Sequence, residues 1–219
     1  MKKLFCCVIA LCALAMAACA VKAPQAAPEA EGPRFAIEKY TEDTVSAEYV
    51  KVSGITAQKT LNDNLEAFFL GAFADGAEGS YENTAEFYNI GGRFLSVARI
   101  ENFMPEGGAY PTAAIAGKTF DLETGEVIGD LVFGGVSPEH PSDVFTQVYP
   151  DNAVDAVWER LAANLEEIGP FKDYYLTETA IMAYVNHDLH AEGDYFIFEA
   201  PYEQSVSLLS GALAAVVLE

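Results

Sequence analysis

Basic residues, cysteine, histidine and tryptophan are the scarce components of this chain, and each scarcity removes a class of function. Twelve Lys and Arg stand against 33 Asp and Glu, a formal charge of -21 over 219 residues. Such a chain repels nucleic acid and anionic membrane surfaces and attracts cationic proteins or divalent cations. The blander reading is that the charge only keeps an exported protein soluble. Cysteine occurs at Cys6, Cys7, Cys12 and Cys19 and nowhere else. Three of these lie inside an apolar leader, so a processed chain keeps Cys19 alone, which excludes an intramolecular disulfide and a cysteine-ligated metal site. Stability then rests on an ordinary core. The apolar run ahead of Cys19, Leu4 to Ala18, counts 15 residues, whereas a membrane-spanning helix needs roughly 20.

What the N-terminus does contain is a short basic head, Met1-Lys2-Lys3, that apolar run, and the small residues Met16-Ala17-Ala18 before Cys19. This is the shape of a secretory signal and resembles a bacterial lipobox, whose cysteine is acylated and becomes the new N-terminus. A plain signal peptide cut after an Ala-x-Ala pattern is the alternative. The expected organisation is a lipoprotein signal peptide over residues 1–18, with lipidation at Cys19, and a disordered tether over 19–33. Within the tether AVKAPQAAPEAEGP holds one bulky apolar residue, Val21. If semi-extended, it separates the folded part from the bilayer by on the order of 40 Å. Without Lys2 and Lys3 the balance becomes 10 basic against 33 acidic residues, a formal charge near -23.

Folding is expected from about Phe35, with a strand over Val45–Val52. Gln58–Phe73 places Leu61, Leu65, Phe68, Phe69 and Ala72 at helical spacing, with Thr56 as N-cap. From Phe87 to Phe133 the chain reads as strands and turns, and it forms the centre of the sheet. Leu95 and Val97 alternate with Ser96 and Ala98, as in a strand with one buried face, and Asn89, Gly91 and Gly92 supply the turn before it. PEGGAYP after Met104 is a loop, because its two prolines and two glycines fit neither a ladder nor a helix. A strand over Thr112–Leu122 follows, and Thr124-Gly125 turns the chain toward Val127 and Ile128. A second helix is predicted from Asp151 or Asn152 to Ile168, with Trp158, the one tryptophan, facing the core. Tyr174–Leu176, Ala180–Val185 and Tyr195–Phe198 read as strands. Pro201 opens a helical segment over Tyr202–Leu209, and the apolar tail GALAAVVLE is too short to span a bilayer and is expected to be buried.

FLSVARIENF, the GGAYP loop, FDLETGEVIGDLVF, DYYLTETAIMAYV and FEAPYEQ together resemble the RsiV-like extracytoplasmic domain family. Its members include the lysozyme-sensing anti-sigma factor ectodomain and the non-catalytic N-terminal region of the peptidoglycan deacetylase PdaC. The likeness spans roughly Val45 to Leu209. The family loop usually reads Gly-Gly-Ala-His, and here Tyr110 takes the fourth place. The resemblance implies an α+β fold of two packed lobes: a small strand-helix-strand lobe over 34–90, and an antiparallel sheet with one long helix over 91–219. It also implies an extracytoplasmic location and, as partner, a cationic wall-active protein such as lysozyme, or peptidoglycan. Anti-sigma activity is not implied, because the sigma-binding segment and a true transmembrane helix have no counterpart in the sequence.

Residues with catalytic chemistry form no recognisable constellation. His187 and His190, with Asp188, Glu192 and Asp194, could approach a metal if their loop folded back, but no HExxH helix frames them and a third ligand has no fixed place. His140 is most simply a loop residue. Among 33 acids some pair always lies at a usable separation, so sequence proximity identifies no acid/base couple. Ser96, Ser137 and Ser205 lack a GxSxG elbow, no phosphate-cradling glycine loop follows a strand, and the deacetylase module's metal-binding segment is absent. Tyr88, Tyr110, Tyr174, Tyr175, Tyr184 and Tyr202 are candidate binding aromatics, with half-buried packing the competing reading for each. Tyr110 stands apart because it lies in a loop.

The sequence therefore points to a non-enzymatic, lipid-anchored binding module of the bacterial cell envelope, periplasmic or at the cell surface. It requires no cofactor and carries its partner-binding surface on Glu106, Gly107, Gly108 and Tyr110. The rival readings are an envelope hydrolase acting on peptidoglycan glycans through carboxylates, and a purely structural envelope protein.

Overall fold

A computed structural model describes residues 32–71, 78–109, 111–129, 131–132, 144–149, 173–186 and 195–218. Among the described residues nine strands form two sheets. The first has the order β1-β2-β3-β4-β5, with β1 at Arg34–Glu42, β2 at Val45–Ser53, β3 at Gly79–Ile90, β4 at Phe94–Pro105 and β5 at Thr112–Asp121. The second has the order β6-β9-β8-β7, with β6 at Thr146–Tyr149, β7 at Tyr174–Leu176, β8 at Ala180–Asn186 and β9 at Tyr195–Pro201.

The first sheet is mixed. β2 and β3 run parallel over Val45–Ala47 and Tyr81–Asn83, so the chain must cross between them, and it does so through helix α1 at Gln58–Leu70. Leu61, Leu65, Phe68 and Phe69 form its buried stripe, as their spacing predicts. Thr56 does not cap it. The N-cap position falls on Ala57, which makes no side-chain cap; Leu61 N–H bonds the Ala57 carbonyl at 3.0 Å and Gly54 N–H bonds Gln58 Oε1 at 3.2 Å. At the other end, Asn83 Nδ2 donates to the Phe69 carbonyl at 3.1 Å and the Arg99 guanidinium donates to that of Phe68. Side chains of β3 and β4 thus satisfy carbonyls that the last helical turn leaves open. Ala72 and Phe73, expected within this helix, lie outside the described residues.

Leu95 and Val97 face α1 across a cluster that includes Val50, Val52, Leu61, Leu65, Phe69 and Phe120. Ser96 and Ala98, expected on an exposed face, are also fully buried. The reason is a second cover: β6–β9 pack on the opposite face of β4 and β5, where Phe94 and Leu176 share one cluster, and Ala98, Ile115 and Tyr184 another. The described residues form three layers, α1, the five-stranded sheet and the four-stranded sheet. Polar groups stitch the two sheets together. Leu176 N–H donates to Ser96 Oγ at 2.7 Å and Gly117 N–H to the Tyr184 hydroxyl at 2.8 Å. Asn186 bonds both backbone groups of Ile115.

Gly91 and Gly92, with φ of 56° and 70°, make the β3–β4 turn, in which Arg93 N–H bonds the Ile90 carbonyl at 3.1 Å. Asn89 belongs to β3 rather than to the turn. Beyond β9, Tyr202–Gln204 is a turn and Val206–Leu208 a 3-10 helix, in place of the expected continuous helical segment. The apolar tail forms helix α2 at Gly211–Val217, capped by Ser210 and burying Leu213. Burial of the tail, expected throughout, is confined to Leu213: Ala214, Val216 and Val217 are half-buried, and Ala212, Ala215 and Leu218 are exposed. The helix expected around Trp158 lies outside the described residues.

This mostly sheet arrangement, with two α-helices among the described residues, is compatible with an α+β class and is not a clear match to two lobes. The expected lobe boundary between residues 90 and 91 falls in the β3–β4 turn, and β3 and β4 pair from Gly79–Pro105 to Ile90–Phe94 within one sheet.

Candidate functional site

The second sheet covers only part of the face it packs on. Side chains alternate across a strand, so one face of β4 carries Phe94, Ser96, Ala98, Ile100, Asn102 and Met104 in turn. The first three are buried, Ile100 is half-buried, and Asn102 and Met104 are exposed. Strand register extends this pattern sideways. Ser46 pairs with Glu82, Glu82 with Asn102, and Asn102 with Ala113, which makes one transverse row across four strands. The adjoining row pairs Ser80 with Met104. Ser46, Ser80, Glu82, Asn102, Met104 and Pro111 line a groove of about 470 Å³ at this open end of the sheet. Its chemistry is hydroxyl, carboxamide and one carboxylate, with a thioether and a proline ring as its apolar part. None of the described residues lining it is basic.

The loop expected to bind stands at the rim of this groove. Pro105 completes β4, and the Gly108 N–H bonds its carbonyl at 2.9 Å, closing a four-residue turn. Gly107 sits third with φ 73°, the left-handed conformation that a type II turn requires at that position. Glu106 N–H bonds the Glu78 carbonyl at 2.9 Å and so ties the turn to the start of β3. Glu106, Gly107 and Gly108 are all exposed. A Cβ on Gly108 would meet Pro105 at 3.1 Å, so the turn has little slack. Tyr110 and Cys19 lie outside the described residues.

The other candidate tyrosines are packing residues. Tyr175, Tyr184 and Tyr202 are buried, and Tyr88 and Tyr174 half-buried. Tyr88 stacks on Tyr175 with ring centroids 6.1 Å apart, and its hydroxyl donates to Glu86 at 3.0 Å. Tyr174 and Tyr202 donate to the carbonyls of Gly129 at 2.9 Å and Thr177 at 2.7 Å. Burial, with Glu86 adding to it, pushes the Tyr88 phenol up to about 12. Burial likewise raises Tyr184 to about 12, against the lowering effect of the Gly117 N–H bond.

Among the described residues no group of three or more His, Cys, Asp or Glu gathers as metal ligands do. His140, His187, His190, Asp188, Glu192 and Asp194 lie outside those residues. Nor does any helix among the described residues have the length and apolarity to cross a membrane. The groove floor escaped the sequence reading. Its members sit far apart in the chain, and only strand register brings them together.

No family model and no curated protein matches the chain. Solved structures similar to it include a DUF3298 family protein from Pseudomonas aeruginosa, 14% identical, with a TM-score of 0.40 over 83% of this chain and 95% of that one. A DUF3298 family member from Bacteroides fragilis is 18% identical, with a TM-score of 0.42 over 83% of this chain and 95% of that one. Their descriptions give a family and state no ligand or activity.

Proposed function

We propose that this chain is an RsiV-like envelope lipoprotein, anchored through a lipid on Cys19, whose folded part binds a cationic wall-active protein of the lysozyme kind without catalysing a reaction. The observation that carries the reading is the open, polar half of the five-stranded sheet with the exposed Glu106-Gly107-Gly108 turn at its rim, on a chain of formal charge -21. A surface of that sign steers a basic protein toward itself and weakens as salt screens it. Tyr110, which precedes Pro111 in the sequence, is the aromatic anchor of this reading.

The test is titration of the full chain with lysozyme at rising salt, for the wild type and for Tyr110→Ala and Glu106→Gln. Saturable binding that falls with salt and weakens in both variants, at unchanged melting temperature, supports the reading. Absence of binding by the wild type defeats it. A Tyr110→Ala protein that melts much earlier but binds normally when folded would make Tyr110 a packing residue and place the site elsewhere. Release of fragments from labelled peptidoglycan by the chain alone would favour the hydrolase reading instead.

A further inference from the structure

Within that open sheet end the groove is a recess sized for a small polar ligand. At about 470 Å³ it falls within the range of roughly 300–1,000 Å³ typical of small-molecule sites. We propose that it is a saccharide site selective for amino sugars with free ammonium groups, such as oligomers of glucosamine. This rests on the binding-module reading above and names a ligand class for the same surface.

The floor carries the argument. Ser46 and Ser80 offer hydroxyls that both donate and accept, and Asn102 offers a carboxamide with donor and acceptor at fixed separation. A polyhydroxylated ring presents the complementary mixture at every position, whereas an apolar ligand would leave these groups unpaired. Met104 and Pro111 give the C–H face of a sugar ring an apolar wall. Glu82 then sets the charge preference. It is exposed in the middle of the transverse row, forms no ion pair among the described residues, and is the one carboxylate among the described lining residues, none of which is basic. An anionic sugar meets repulsion there, a neutral one meets hydrogen bonds alone, and a protonated amine gains a charge-assisted hydrogen bond.

The experiment is calorimetric titration of the full chain, without lysozyme, with a short glucosamine oligomer at a pH that protonates its amines. The N-acetylated oligomer of the same length and an oligolysine of equal charge are run in parallel. The glucosamine oligomer is expected to bind about tenfold or more tightly than the N-acetylated one, the worth of one charge-assisted hydrogen bond. Glu82→Gln should abolish that preference, and Asn102→Ala should weaken both sugars while leaving the melting temperature unchanged. Equal affinity for the two sugars overturns the ammonium selectivity, and oligolysine bound as tightly as glucosamine makes the groove a basic-peptide site. No sugar binding by a chain that still binds lysozyme defeats this inference alone. A chain that binds neither defeats the functional reading as well.

Discussion

The side-chain amide of Asn186 pairs with the backbone of Ile115 as a neighbouring strand would: Nδ2 donates to the Ile115 carbonyl at 2.8 Å, and Oδ1 accepts the Ile115 N–H at 2.9 Å. β5 is an edge strand of its sheet, and this contact answers one residue of its exposed ladder with a side chain from β8. Asn62 of α1 treats Val52 of β2 in the same way, with bonds of 2.8 and 2.9 Å. Asn186→Ala removes two hydrogen bonds and is expected to cost about 1–3 kcal/mol. Urea unfolding of the variant measures it. A loss below about 0.5 kcal/mol would show that water replaces the amide without cost.

The crossing of β7 over β5 makes a second prediction. A Cβ added to Gly117 would lie 2.8 Å from the Tyr174 carbonyl oxygen and 2.9 Å from Tyr175 Cβ. Gly117→Ala must push the sheets apart, at a cost of about 1–3 kcal/mol. Gly129 has nothing within 4 Å of the same position, so Gly129→Ala should change stability by no more than about 0.5 kcal/mol. Comparable melting of the two variants would mean that the sheets are not packed this closely.

Alkaline pH should unfold the protein through its tyrosines. Burial raises Tyr175 and Tyr202 as well as Tyr88 and Tyr184, the last two to about 12. Phenols in the unfolded chain ionise near about 10. The folded state therefore binds more protons above that pH, and the associated stability is intact below about 10 and is lost as pH rises toward about 12. Phenolate absorbance and circular dichroism followed together should show the buried phenols ionising with unfolding. Complete phenol titration near pH 10 without loss of structure would contradict their burial.

Lipidation is tested apart from the fold. Cells fed a fatty-acid probe should label the wild-type chain and leave Cys19→Ala unlabelled. Equal labelling of the two would remove the anchor from the account.

Several elements were legible because their signals are local. The α1 stripe needs only the spacing of Leu61, Leu65, Phe68 and Phe69, and the β3–β4 turn only Gly91 and Gly92. β1 was not foreseen, since it is a charged edge strand with weak alternation; Glu38 and Lys39 form ion pairs with Lys51 and Glu48 of β2, each at 3.1 Å, rather than filling a core. Ser96 and Ala98 misled because small residues pass equally well for surface or for tight contact. β6 is too short to carry a period. At the site the split was the same. The loop announced itself through Pro105, Gly107 and Gly108, whereas the floor of Ser46, Glu82 and Asn102 exists only through the register of three strands.

The claim that the open sheet end is the binding surface is tested most directly by amide hydrogen exchange of the full chain, alone and saturated with lysozyme. The account predicts added protection confined to residues 44–46, 80–82 and 102–111, with the β7–β8 hairpin and the α1 face unchanged. Protection that falls on α1 or the second sheet while the 102–111 segment exchanges as in the free chain would contradict it.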